Sequence, residues 1–188
     1  MSIGDSRDDW GPLTGLPGNP IMWVLIASEL LVFGAVFIGF GVIRFAEPAV
    51  FTESQNHLDR LAGAINTMVL ITSGLFAALA VSSQTKNDSL KARLWLGAAS
   101  GLGIVFLIIK WLEYAGKFEA GISTETNSFF MLFFLATGFH ALHVVFGIII
   151  LIIIGWKNTL ENVVTGTAFW HMVDLIWVIL FPVVYLVR

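Results

Sequence analysis

The chain has 188 residues, of which 57% are hydrophobic and 12% charged, with a formal net charge of -3 and no cysteine. A soluble domain carries about 25% charged residues, so there is too little polar surface here to coat a globule in water. Without thiols there is no disulfide, iron–sulfur cluster or thiolate metal site, and without a basic patch there is nothing to attract nucleic acid.

Residues 1–19 contain Asp5, Asp8 and Asp9 and lack the basic start and apolar core of a signal peptide, so they read as a polar lead-in. Residues 20–188 read as one all-α membrane domain, a bundle of five transmembrane helices. A span needs about 20 mostly apolar residues. Stretches 20–44, 61–82, 94–115, 128–156 and 168–187 qualify. The linkers 45–60, 83–93, 116–127 and 157–167 are short and polar, which favours antiparallel neighbours in one compact bundle. The side holding the N-terminus carries Arg7, Lys86, Lys91, Arg93 and Lys157, and the other Arg44, Arg60, Lys117 and Arg188. That small excess places the N-terminus in the cytoplasm and the C-terminus in the periplasm.

The first span buries Glu29 far from either end. A carboxyl group at that depth either bonds another helix or exchanges a proton, and an intramembrane acid is a functional candidate by default. The second span sets Gly63, Asn66, Ser73 and Ala77 along one face, and the third carries Gly97-x-x-x-Gly101 and then Gly103; both patterns fit close helix packing. At the far end of the third span, Lys110, Glu113 and Lys117 share a face and read as an interfacial ion pair with snorkelling lysines. His140 and His143 share a face of the fourth span; His171 and Asp174 share one of the fifth, with Trp177 a step beyond. On paper these imidazoles and the carboxylate form a ligand set for zinc or non-haem iron, but the same pairs also arise as interhelical hydrogen-bond anchors. Depth counting brings Glu29, His140, His143, His171 and Asp174 toward one half of the membrane, where one polar network is conceivable. Trp95, Trp111, Tyr114, Trp156, Trp170 and Tyr185 fit interfacial aromatic belts. If Asp174 pairs with a histidine, Asp174→Ala is expected to destabilise the bundle more than Glu29→Gln.

Several ordered motifs resemble one family. Ala136-Thr-Gly-Phe-His-Ala-Leu-His-Val-Val-Phe-Gly147 is similar to the Thr-Gly-x-His-x-x-His-Val signature of haem–copper oxidase subunit III. Phe169-Trp-His-Met-Val-Asp-Leu-Ile-Trp177 resembles that family's aromatic-Trp-His-x-x-Asp-x-x-Trp signature, and Asn66-Thr-x-x-Leu-x-x-Ser-Gly74 its second conserved helix. Glu29 stands where the family has its carbodiimide-reactive glutamate, and Lys110-Trp-Leu-Glu-Tyr114 resembles a further conserved stretch. The match runs from about residue 20 to the end and lacks the two extra N-terminal helices of seven-span members, as five-span bacterial members do.

The resemblance implies a non-catalytic accessory subunit in a bacterial inner membrane, with no metal or cofactor of its own. Its partners would be a large haem-bearing catalytic subunit, carrying copper or non-haem iron, and structural phospholipid. It implies support of proton uptake, with Glu29 as the buried proton-linked carboxylate. Asn66, His140, His143, His171, Asp174 and Trp177 would be a helix-anchoring polar network. The parent complex would be a cytochrome c oxidase, a quinol oxidase or a nitric oxide reductase; the compact form and the ending Ile179-Leu-Phe-Pro-Val-Val-Tyr-Leu-Val-Arg188 look most like the subunit-III-like protein of the last. The competing reading from the residues is a small transporter or proton conductor built on Glu29.

Overall fold

The computed structural model describes residues 20–187; the expected lead-in and Arg188 lie outside the described residues. Helix α1 is Pro20–Ala46, α2 Pro48–Gln55, α3 Arg60–Thr85, α4 Ser89–Glu119, α5 Ser128–Trp156 and α6 Leu160–Phe181, followed by a π-helical turn at Pro182–Leu186. Five of these helices are long and apolar enough to cross a membrane, and the protein is a multi-pass membrane protein built as an all-α bundle.

Side-chain caps start most of these helices. Asp59 accepts from the backbone N–H of Ala62, Asp88 from Lys91, Asn127 from Phe130 and Thr159 from Asn162, satisfying amides that have no partner within the helix. The Thr159 cap explains the largest boundary difference. The fifth spanning helix begins at Leu160, eight residues before the apolar window opens, with Glu161 in its first turn facing the positive helix end. Hydropathy detects the span, whereas the cap sets the helix. The reverse turn into α4 uses Asn87 at φ 59°, a left-handed conformation that asparagine tolerates better than most residues.

The Lys91 ammonium, 2.7 Å from Asp88, and the Lys91 backbone N–H together hold the Asp88 carboxyl below its ordinary value. A depressed folded-state value means that this cap contributes fully above the usual aspartate range and is lost as pH falls through the folded value. Amide exchange at Lys91 should therefore be slower than in Asp88→Asn near neutrality, and the two should converge in acid. A constant ratio across that range would contradict the linkage.

Packing centres on α6, which lies against α3, α5 and α1, while α3 and α4 form the closest pair. Helix α1 is peripheral and turns Leu31, Ile38 and Val42 outward. Short α2 folds over one end of the bundle, where Phe51 meets Phe40 and Phe129 edge to face.

Two packing expectations are corrected. Nothing approaches Gly97 or Gly101 closely, because that face of α4 points outward. Of the three glycines expected to pack on α4 only Gly103 is closely approached, and Gly147 of α5 joins it: an added methyl would lie 2.7 Å from the Trp170 ring in each case. The belt reading suits Trp111 and Trp156, which are exposed, but Trp170 and Tyr185 are fully buried. Both rings have a polar group to satisfy, and both find a partner inside the bundle.

Candidate functional site

Among the described residues, the candidate charged and imidazole side chains fall into four groupings at membrane depth, which do not merge into one network. The first is a charge cluster at the end of the bundle where α4 and α6 terminate. Lys110 Nζ donates to Glu113 Oε2 at 2.8 Å and to the Tyr185 hydroxyl at 2.9 Å. The Tyr185 hydroxyl donates to Glu113 at 2.9 Å, and Lys117 Nζ lies 3.4 Å from Glu113 Oε1. The lysines are not snorkelling at an interface. The side chains of Lys110, Glu113 and Lys117 are 3%, 5% and 6% exposed. Two ammonium groups face one carboxylate, and aromatic faces take up the excess. Lys110 Nζ sits 5.1 Å from the ring centres of Phe133 and Trp177, and Lys117 Nζ 5.2 Å from that of Phe133.

Tyr185 reaches this cluster because of the π turn. Pro182 follows the last regular turn, and the Val187 N–H bonds back to the Pro182 carbonyl at 2.9 Å, one residue further than in an α-helix. Gln55 of α2 donates to the Val184 and Val187 carbonyls at 2.9 Å each, and Arg44 also donates to Val187. These bonds fasten the chain end across α1 and α2.

The second grouping joins α1 to α5. His143 Nε2 lies 2.9 Å from Glu29 Oε2, and His143 Nδ1 lies 2.9 Å from the Phe139 carbonyl. A carbonyl only accepts, so Nδ1 carries a hydrogen. One proton then lies between Nε2 and the carboxyl oxygen. The pair is either neutral acid with neutral imidazole or carboxylate with imidazolium, and its net charge is zero in both forms. In Glu29→Gln the amide still donates to Nε2, so a stability change below about 1 kcal/mol is expected. Glu29→Leu leaves the imidazole without that partner, at about 1–3 kcal/mol. Thermal unfolding in detergent separates the two, and equal melting points would contradict the assignment.

The third grouping is His171 with Asp174 on α6. Nδ1 and Oδ2 are 3.8 Å apart, beyond hydrogen-bond length. Asp174 is wedged against α3, where a methyl on Gly74 would lie 2.3 Å from Oδ2. Because α6 starts at Leu160, Asp174 lies fourteen residues along it, roughly 21 Å, and deeper than its position in the apolar window suggests. The pairing on which the ordering of Asp174→Ala above Glu29→Gln depended is thus not formed at hydrogen-bond length, and Asp174 Oδ1 has no partner among the described residues, so that ordering no longer follows.

His140 makes up the fourth. It is fully buried among Phe33, Phe106 and Trp177, and neither ring nitrogen has a partner among the described residues. Asn66 Nδ2 reaches the Phe106 carbonyl at 3.3 Å, and Trp177 Nε1 donates to Thr67 at 3.1 Å; both bonds run between helices. The sequence signals did not reveal Ser73 as a hub. Its hydroxyl donates to the Ala99 carbonyl at 2.8 Å and accepts from Trp170 Nε1 at 3.1 Å. Gln55 and Tyr185 were equally hidden, since their partners lie more than 70 residues away.

His140, His143 and the neighbouring His171 and Asp174 occupy three separate surroundings and do not converge as a ligand set. Among the described residues, no three His, Asp or Glu side chains come together as a metal site.

Comparison with known proteins follows the same pattern. Residues 18–187 match the model of the family described as cytochrome c oxidase subunit III. The chain is 28% identical over 172 residues to cytochrome c oxidase subunit 3 of Synechocystis, covering 87% of this chain and 72% of that one. It is 30% identical to the Thermostichus vulcanus protein of the same name, covering 87% and 84%. It is also 30% identical to heme-copper oxidase subunit I+III of Aeropyrum pernix, where it covers 88% of this chain and 22% of that longer protein. A third subunit has a catalytic subunit I as its partner. This chain belongs to the cytochrome c oxidase subunit III family and is a non-catalytic accessory subunit of a haem–copper oxidase.

Proposed function

We propose that the chain lies in a bacterial inner membrane, N-terminus in the cytoplasm and C-terminus in the periplasm, against a haem-bearing subunit whose proton uptake it supports through Glu29. The observation that carries this reading is the short Glu29–His143 contact. Shifting the one proton between Glu29 and His143 leaves the net charge at zero, so the pair can pass a proton across at little electrostatic cost when another is taken up as the first is released. Lys110, Glu113, Lys117 and Tyr185, with Asn66 and Trp177, act as anchors between helices, and Asp174 wedges α6 against α3; His140 and His171 form no interhelical hydrogen bond among the described residues and leave the expected anchoring set. Phe33 and Phe106 flank His140 and set an apolar layer between the pair and the charge cluster. That layer favours an accessory role over autonomous proton conduction across the chain. Phospholipid is held at the far end of α1, where Arg44 lines a cavity of about 400 Å³ with Gly41, Phe45, Pro48 and Thr52. A guanidinium beside exposed apolar surface suits a phosphate headgroup and its chains.

Affinity purification through this chain should recover a larger haem-bearing subunit. Copper in that subunit indicates a terminal oxidase, and non-haem iron a nitric oxide reductase. Recovery of the chain alone, free of haem, would sink the reading. In the complex, Glu29→Leu is expected to slow turnover at alkaline pH, where proton supply limits, with haem content unchanged. Identical pH–rate profiles would remove the proton role and leave only the anchoring one.

A further inference from the structure

His171 is out of place for a group whose role is anchoring. It lies eleven residues along α6, roughly 16 Å from the helix start, yet its side chain is 45% exposed. An imidazole open to hydrocarbon at such depth is unfavourable and marks a wet or occupied site. Here it lines a cavity of about 550 Å³ between α1, α3 and α6, walled mainly by Trp23, Ile26, Leu30, Val81 and Leu175. Its Nδ1 faces Asp174, and Asp174 is fixed against Gly74, so the ring turns Nε2, for which no hydrogen bond is formed among the described residues, toward the cavity. Thr167 also lines the cavity, and its hydroxyl hydrogen is committed to the Val163 carbonyl.

We propose that this cleft binds a membrane-soluble quinone or quinol, its ring oxygen hydrogen-bonded to His171 Nε2 and its apolar tail lying along α1. The depth of the polar group selects this class. A phospholipid keeps its headgroup at the interface and would set only methylenes against the imidazole, which leaves the nitrogen unsatisfied. A quinone carries an uncharged polar ring into the hydrocarbon. It also offers either partner the imidazole needs, a carbonyl for an Nε2–H or a hydroxyl for an Nε2 lone pair. Largely apolar walls with one placed polar group are the usual makeup of such a site. The proposal concerns binding alone and is independent of the proton role of Glu29.

The test uses the full chain in nanodiscs of saturated phosphatidylcholine, titrated with decylubiquinone and separately with its quinol. Binding is read as saturable quenching of tryptophan fluorescence, with Trp23→Phe as a control for the reporting ring. His171→Phe keeps the cleft apolar and filled to a similar extent, so it separates a hydrogen-bonded ring from a bound hydrocarbon chain. Saturable binding of at least one redox form is expected, weakened tenfold or more in His171→Phe, with the quinone carbonyl stretch shifted in the wild type and not in the variant, or the wild-type His171 ring ¹⁵N signal moving between the ligand-free and the saturated protein. Equal affinity in the two proteins, or no saturable binding of either form to a wild-type chain whose circular dichroism is that of a folded helical bundle, would overturn the proposal. Such a result would assign the cleft to lipid chains.

Discussion

Replacing Glu113 by alanine is expected to destabilise the bundle by about 3–5 kcal/mol, because two ammonium groups then remain buried with no counter-charge. Lys110 and Lys117 both depend on that carboxylate, and neither side chain is more than 6% exposed. Tyr185 is also affected, since its hydroxyl donates to Glu113 and accepts from Lys110. The π turn that follows α6 is thus tied to α4 through this acid and the lysine it holds. Lys117→Met provides the opposite case. It removes the longer contact at 3.4 Å and the surplus positive charge, and leaves the 2.8 Å Lys110–Glu113 bond in place. A change below about 1 kcal/mol is expected there, because exchanging a buried charge for an apolar side chain of similar length is often neutral or favourable. Thermal unfolding of both variants in one detergent decides the matter. If Glu113→Ala melts with the wild type, or Lys117→Met loses as much as Glu113→Ala, the cluster is not the keystone described.

Trp170→Ala should rank beside it, at about 3–5 kcal/mol for a large aromatic removed from a packed core. The ring is held in a slot between two glycines on different helices. A methyl on either Gly103 or Gly147 would stand 2.7 Å from it, and its indole nitrogen bonds Ser73 on a third helix. One side chain of α6 therefore fixes its distance to α3, α4 and α5 together. Gly147→Val presses on the same ring from the opposite direction and is expected to cost about 1–3 kcal/mol through strain. Trp170→Phe keeps most of the volume and loses the hydrogen bond, so it should fall between wild type and alanine. Melting temperatures in that order, with loss of the co-purifying haem subunit in Trp170→Ala, would support the slot. An alanine variant as stable as the phenylalanine variant would argue that the helices are spaced by other contacts.

The motif spacing carried the family assignment without any coordinates. The Thr-Gly-x-His-x-x-His and Trp-His-x-x-Asp-x-x-Trp runs occur in order along the chain, and the family they pointed to is the one whose model matches residues 18–187. Partner choice was not legible, because each candidate had several faces to choose from. His140 and His143 share a helix face, yet one is enclosed by rings and the other meets Glu29, since the roughly 60° between residues three apart on a helix straddles the α1–α5 seam.

Apolar run length by itself determined the membrane class and the number of spans, because crossing a hydrocarbon layer is a one-dimensional requirement that composition meets or fails. The tertiary structure decided which polar groups are buried and whom they meet. Tyr185 reads as a belt residue until Pro182 and Gln55 turn it inward, and Gly97-x-x-x-Gly101 reads as a packing seam until α4 turns that face outward. Burial and pairing depend on the rotation of each helix about its own axis. That rotation is fixed by contacts such as the Trp170 slot, made between residues distant in the chain, and local sequence carries no record of it.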